Sequence, residues 1–165
     1  RKCLSSVSPD LVVVESFAYN HRLDGRHRVE YYKDVLRRLW NALAETTPAK
    51  RLFLVTVPPD KERFLDHVPT YKDVALDLRR EWAESSEMYL QAAIDVATQE
   101  NFPLVNVYER VKERVAAGTP IRWFFDQNDN IHPSRFAYEL IADEIVRAIR
   151  RYHILTTDDH GVSAQ

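Results

Sequence analysis

Apolar positions along the chain fall into two alternating kinds of pattern. The stretch "PDLVVVES" (9–16) runs through four consecutive apolar residues after a proline. Short unbroken runs of this kind suit a strand buried on both faces, as in a parallel sheet. "RLFLVTV" (51–57) repeats the pattern and halts at Pro58-Pro59, where a ladder cannot continue. "PLVNV" (103–107) is the third such run. Between and after them the spacing changes to that of helices. Residues 29–45 place Val35, Leu36, Leu39, Trp40 and Leu43 on one stripe, and residues 71–101 do the same with Val74, Leu78, Trp82, Tyr89, Ala93 and Val96. A shorter helix, "YERVKERVAAG", is closed by Gly118 at a C′ position. The last, 134–152, carries Phe136, Leu140, Ile141, Ile145 and Ile149, with arginines at its C-terminal end where the macrodipole favours cations.

The order β-α-β-α-β-α-loop-α predicts an α/β fold, a parallel sheet covered by helices on both faces. Right-handed crossovers then bring the C-terminal ends of the strands to one edge, where α/β ligand sites lie. Residues 1–152 form one such domain, and 153–165 read as a frayed tail. The first run is the most apolar, yet no earlier strand precedes it. An open hydrophobic edge is an aggregation hazard. The pattern therefore implies a partial domain, with at least one more strand upstream of Arg1.

Composition narrows the chemistry. At 165 residues and 45% hydrophobic, the chain can bury one sizeable core. A net charge of −2 offers no strong field to attract nucleic acid or an anionic membrane. No apolar run approaches the ~20 residues of a membrane span, and no signal or targeting segment is visible in 1–165, which leaves the compartment open. With three glycines and neither GxGxxG nor GxxxxGK[ST], a phosphate cradle is not expected. The single Cys3 excludes an internal disulfide and a cysteine-based zinc site. No cofactor is expected.

Two polar clusters fall on the strand-end edge: "ESFAYNH" (15–21) and "DQNDNIHPS" (126–134). Histidine is the usual general base near neutral pH, and a carboxylate commonly fixes its tautomer through the other ring nitrogen. Asp129, three residues before His132 in a turn leading into a helix, can fold back to reach that nitrogen. The same residues also read as a helix start, with Pro133 at the entrance and Ser134 as cap. Asn20, just past a buried strand, can aim its amide at a developing oxyanion, or can simply form a turn. "DQNDN" also alternates acids and amides like a calcium loop, but position six is Ile131 and position twelve Ala137. A metal site from His21, His27 and His132 lacks helical ligand spacing. Aromatics in "FAYN" and "IRWFF" suit either a sugar or acyl pocket or the core.

Taken together, "SPDLVVVESFAYNH" and "DNIHPSRFAYELIADEI" resemble the later blocks of the SGNH (GDSL-like) serine hydrolase family, over residues 8–150 in element order. The resemblance implies a flavodoxin-like, three-layer α/β/α fold and hydrolysis or transfer of an ester-linked acyl group. It implies Asp129 and His132 as acid and base, and Asn20 as oxyanion donor beside a serine N–H and a glycine N–H. Tyr19, His21 and Ile131 become candidate contacts to a small-molecule or carbohydrate ester. Two positions depart from the family pattern: Ala18 stands where it has glycine, and His21 where it has aspartate. The G-D-S nucleophile block is absent, since none of the eight serines follows a strand in that setting. In the family that block precedes the Asn block, which places the expected nucleophile upstream of Arg1. A non-catalytic ligand-binding relative of the same fold is the alternative.

Overall fold

The computed structural model describes residues 7–155, so Cys3 and the tail from 156 onward lie outside the described residues. Strands β1 (Leu11–Glu15), β2 (Lys50–Val55) and β3 (Leu104–Asn106) pair in parallel in the order β1-β2-β3. Val13 lies opposite Leu52, and Phe53 opposite Leu104. Helices α1 (Val29–Thr46) and α2 (Leu76–Gln99) form the two crossovers, and α3 (Val107–Ala116) and α4 (Arg135–Arg151) follow β3.

Two crossovers of the same hand that step in the same direction put both helices on one face of a sheet. Accordingly, Val14, Phe53 and Val55 pack with Tyr32, Leu36 and Trp40 of α1 and with Tyr89, Leu90 and Val96 of α2. Side chains one register away point to the other face, because the strand period is two. There Leu52 and Val105 meet Val111 of α3 and Leu140 and Ile141 of α4. Trp40 stacks on Phe102 at a centroid distance of 4.2 Å, with the Arg51 guanidinium 4.7 Å from its ring. Burial of such rings dominates the stability of the face they occupy.

Several boundaries shift from the pattern. The helix expected over 71–101 starts at Leu76, and a 3-10 turn, Pro69–Tyr71, precedes it. Tertiary contacts decide this: the Tyr71 ring meets Trp82 edge-on, and its hydroxyl accepts from Arg22 at 2.6 Å. Leu78 and Phe136, expected on buried stripes, are 41% and 36% exposed. Ile154, assigned to the tail, is buried against the α3/α4 side of the sheet. Gly118 does terminate α3, at φ +99°, a conformation open to glycine. Its N–H donates to Val115 O, and that of Thr119 to Arg114 O, the paired bonds of a Schellman motif. Among the described residues β1 pairs only with β2, and Val13 on it is 40% exposed.

Candidate active site

The C-terminal ends of β1 and β2 and the loop before α4 enclose a cleft of about 400 Å³. Four of the residues anticipated from sequence, Tyr19, Asn20, Ile131 and His132, line it. Asp129 stands behind His132. Its Oδ2 is 2.5 Å from His132 Nδ1, and its Oδ1 accepts from the N–H groups of Ile131 (2.9 Å) and His132 (3.0 Å). One carboxylate thus shapes the turn with one oxygen and orients the ring with the other. Partial burial pushes the Asp129 carboxyl upward, but the bonds from the His132 ring and the two backbone N–H groups outweigh it and hold the group below its ordinary value. His132 itself is solvent-accessible, with 73% of its side chain exposed.

The loop that carries this pair is tightly tied. An antiparallel bridge joins Phe125 and Pro133, with Asp126 N–H donating to His132 O at 2.9 Å and Ser134 N–H to Phe124 O at 3.0 Å. Within it the acids and amides of "DQNDN" serve the turn. Asp126 Oδ1 accepts from Asn128 N at 2.9 Å, and Asn130 N–H donates to Asp126 O at 2.8 Å. Among the described residues no group of three or more His, Cys, Asp or Glu side chains is gathered to hold a metal ion. Ser134 caps α4 by accepting from Ala137 N–H at 3.2 Å. The helix cap and the Asp129–His132 pair therefore coexist, since Ser134 makes the one and Asp129 with His132 the other.

The segment after β1 reaches the cleft by a sharp turn. Phe17 adopts the left-handed conformation, φ +56°, and a 3-10 turn, Ala18–His21, follows. The departure at Ala18 needs no glycine, because the positive φ falls one residue earlier and Ala18 is fully buried. Tyr19 donates its hydroxyl to Val57 O at 3.0 Å, tying the turn to the end of β2. Burial, then the carboxylates of Glu15, Glu87 and Asp60, push its phenol well above the ordinary value, so it stays neutral. Asn20 is exposed at the cleft. His21 is not part of that lining. It stacks on Tyr89 at 5.0 Å, meets Tyr32 edge-on at 4.8 Å and pairs with Asp24 at 2.7 Å.

Sequence reasoning passed over three features of the site. Glu15, the final residue of β1, lines the cleft with its carboxylate accepting from Ser16 Oγ (2.8 Å) and Phe17 N–H (2.5 Å). Burial pushes its carboxyl up, against the pull of those hydrogen bonds. The signal was present, as the acid that ends an apolar run. Tyr138 of α4 also faces the cleft, 56% exposed, off the stripe that marks the core. The third feature is long-range. Asn130 Nδ2 donates to Asp66 Oδ1 at 2.7 Å, and His67 Nδ1 lies 2.7 Å from Gln127 O, so the 60–68 segment clasps the His132 loop. No local pattern announces such a pairing. A second cavity, about 410 Å³ at the outer side of β3, is lined by Arg110, Glu113, Glu144 and Arg147, which neutralise one another.

No family model matches the sequence, and no curated protein matches it. Among solved structures the chain is similar to the crystal structure of LAE5, an alpha/beta hydrolase enzyme from the metagenome of Lake Arreo, Spain. The identity is 18% and the TM-score 0.55, over 88% of this chain and 62% of that one. The chain thus spans about three fifths of the length of the structure it matches. At that identity the likeness is one of fold: an α/β chain with a parallel sheet, whose structural neighbour is a hydrolase.

Proposed function

We propose that this chain carries the acid–base pair and an oxyanion donor of an SGNH-type serine hydrolase acting on an ester-linked acyl group. The observation that supports the reading best is the meeting of Asn20 and His132 on one cleft, with Asp129 bonded to Nδ1 of the ring. In this reading Asp129 holds the imidazole with its proton on Nδ1, so that Nε2 accepts the serine proton as Oγ bonds to the ester carbonyl carbon. The carbonyl electron pair moves to oxygen and is met by the Asn20 amide. Collapse expels the alcohol, which takes the proton from Nε2, and water repeats the sequence on the acyl-enzyme.

Among the described residues no serine lines this cleft. In this reading the nucleophile belongs to a segment outside the described residues, one whose strand would pair along the edge of β1 opposite β2. That edge is also where Val13 is exposed. The same lack of a serine favours the second reading, a ligand-binding relative that keeps the cleft without the chemistry.

Labelling by a fluorophosphonate probe separates the two. The full-length protein is expected to label at a serine, and His132→Ala to lose the label while remaining folded. Absence of labelling in the unsubstituted protein counts against hydrolysis and for the binding relative.

A further inference from the structure

We propose that the cleft selects a substrate bearing an organic cation, an alkylated ammonium group seated between the Glu15 carboxylate and the rings of Phe17 and Tyr138. The inference deepens the reading above and rests on the same cleft. Glu15 reaches it from the end of β1, and both of its hydrogen bonds come from neutral donors, Ser16 Oγ and Phe17 N–H. No lysine or arginine is among the lining residues. A partly buried carboxylate without a cation is costly unless a ligand supplies one. The other carboxylate near the cleft, Asp129 behind His132, is already taken up by the His132 ring and two backbone N–H groups.

The walls around Glu15 fit the apolar part of such a cation. Phe17 and Tyr138 are 47% and 56% exposed, and both line the cleft. An aromatic face attracts a cation through its quadrupole, most strongly when the cation is poorly hydrated. Leu54 and Ile141 continue the wall and would receive alkyl substituents. A compact primary ammonium keeps its water and gains less here, and an anionic substrate meets Glu15 with like charge. A negative, aromatic-walled cleft thus discriminates among esters by charge at the group nearest β1.

The test needs no turnover. The full-length protein used for labelling is titrated with choline and, separately, with its neutral isostere 3,3-dimethylbutan-1-ol, following the Ile131 and Ile141 methyl resonances and the Phe17 amide. Choline is expected to bind at least tenfold more tightly and to move these resonances. Glu15→Gln, isosteric and still able to accept from Phe17 N–H, is expected to abolish the preference. Tyr138→Leu, at an exposed helix position, is expected to weaken choline at least threefold and leave the alcohol unchanged. Equal binding of the two probes, a preference that survives Glu15→Gln, or shifts confined to another surface would overturn the proposal. Fluorophosphonate labelling retained alongside equal binding would sink this inference alone. A choline preference without labelling would sink the hydrolase reading alone.

Discussion

Asn130 sits between Asp129 and Ile131, is 1% exposed, and adopts φ +53°. Three terms govern its replacement by alanine. The bond from Nδ2 to the Asp66 carboxylate is lost, and hydrogen bonds to charged groups contribute about 1.5–3 kcal/mol. Alanine also tolerates the left-handed region less well than asparagine, which adds roughly 1 kcal/mol. Against these, the buried Oδ1 has no partner among the described residues, so deleting it returns about 1 kcal/mol of desolvation cost. The first two terms win, and Asn130→Ala is expected to lose about 2 kcal/mol of unfolding free energy. Asn130→Gly removes the backbone strain as well and is expected to lose only about 1 kcal/mol. Asn130→Asp places a second carboxylate within bonding distance of Asp66. Two such charges at about 4 Å repel by ~4 kcal/mol at an effective dielectric near 20, less the screening available to the partly exposed Asp66. Its folded-state pKa is therefore raised, so the penalty is largest at neutral pH and fades as pH falls through the carboxylate range, where the pair shares a proton. Urea unfolding followed by circular dichroism at pH 7 and pH 4.5 reads all three. Asn130→Gly proving no more stable than Asn130→Ala would refute the backbone argument. Asn130→Ala unfolding within about 0.5 kcal/mol of the unsubstituted chain would refute the bond to Asp66.

Three further substitutions test other parts of the frame. Ser134→Ala removes the acceptor for Ala137 N–H and the donor to Trp123 O, and should cost about 1–2 kcal/mol in the same unfolding assay. In Gly118→Ala the new methyl meets nothing within 4 Å, so the φ of +99° alone sets a cost of about 1 kcal/mol, measurable as a lowered Tm. Because the Asp129 carboxyl is held below its ordinary value, its contribution is present above the unfolded-state pKa of about 3.9 and is lost as pH falls through the folded value. The stability gap between the unsubstituted chain and Asp129→Asn should accordingly be open at pH 6 and narrow steadily below pH 4.

The parts of this molecule written locally were readable, and the parts written across the chain were not. The runs at 9–16, 51–57 and 103–107 contain the three strands but for Lys50 at the start of β2, because burial on both faces leaves an apolar block. Gly118 marked a helix end through a backbone conformation that few other residues adopt, and Ser134 a helix start through its side-chain oxygen. Asp129 and His132 were within reach because three residues of turn suffice to bring their side chains together. Leu76 as the start of α2 was not readable, since Tyr71 is held by Arg22 and Trp82 from elsewhere. Nor was the environment of His21, whose neighbours Tyr32 and Tyr89 belong to two different helices. Glu15 and Tyr138 join one cleft only because the end of β1 and the start of α4 open onto it, a fact of topology rather than of spacing.

The three tryptophans occupy three different levels of the fold. Trp40 is 8% exposed against Phe102, Trp82 leans on Tyr71 at the edge of the clasping segment, and Trp123 is 53% exposed beside the His132 loop. Their emission therefore reports on depth. Iodide should quench Trp123 from the outset, reach Trp82 once the 60–68 segment lifts, and reach Trp40 only when the sheet itself comes apart. With single-tryptophan variants, optical quenching alone becomes a ruler that separates opening of the cleft from collapse of the core.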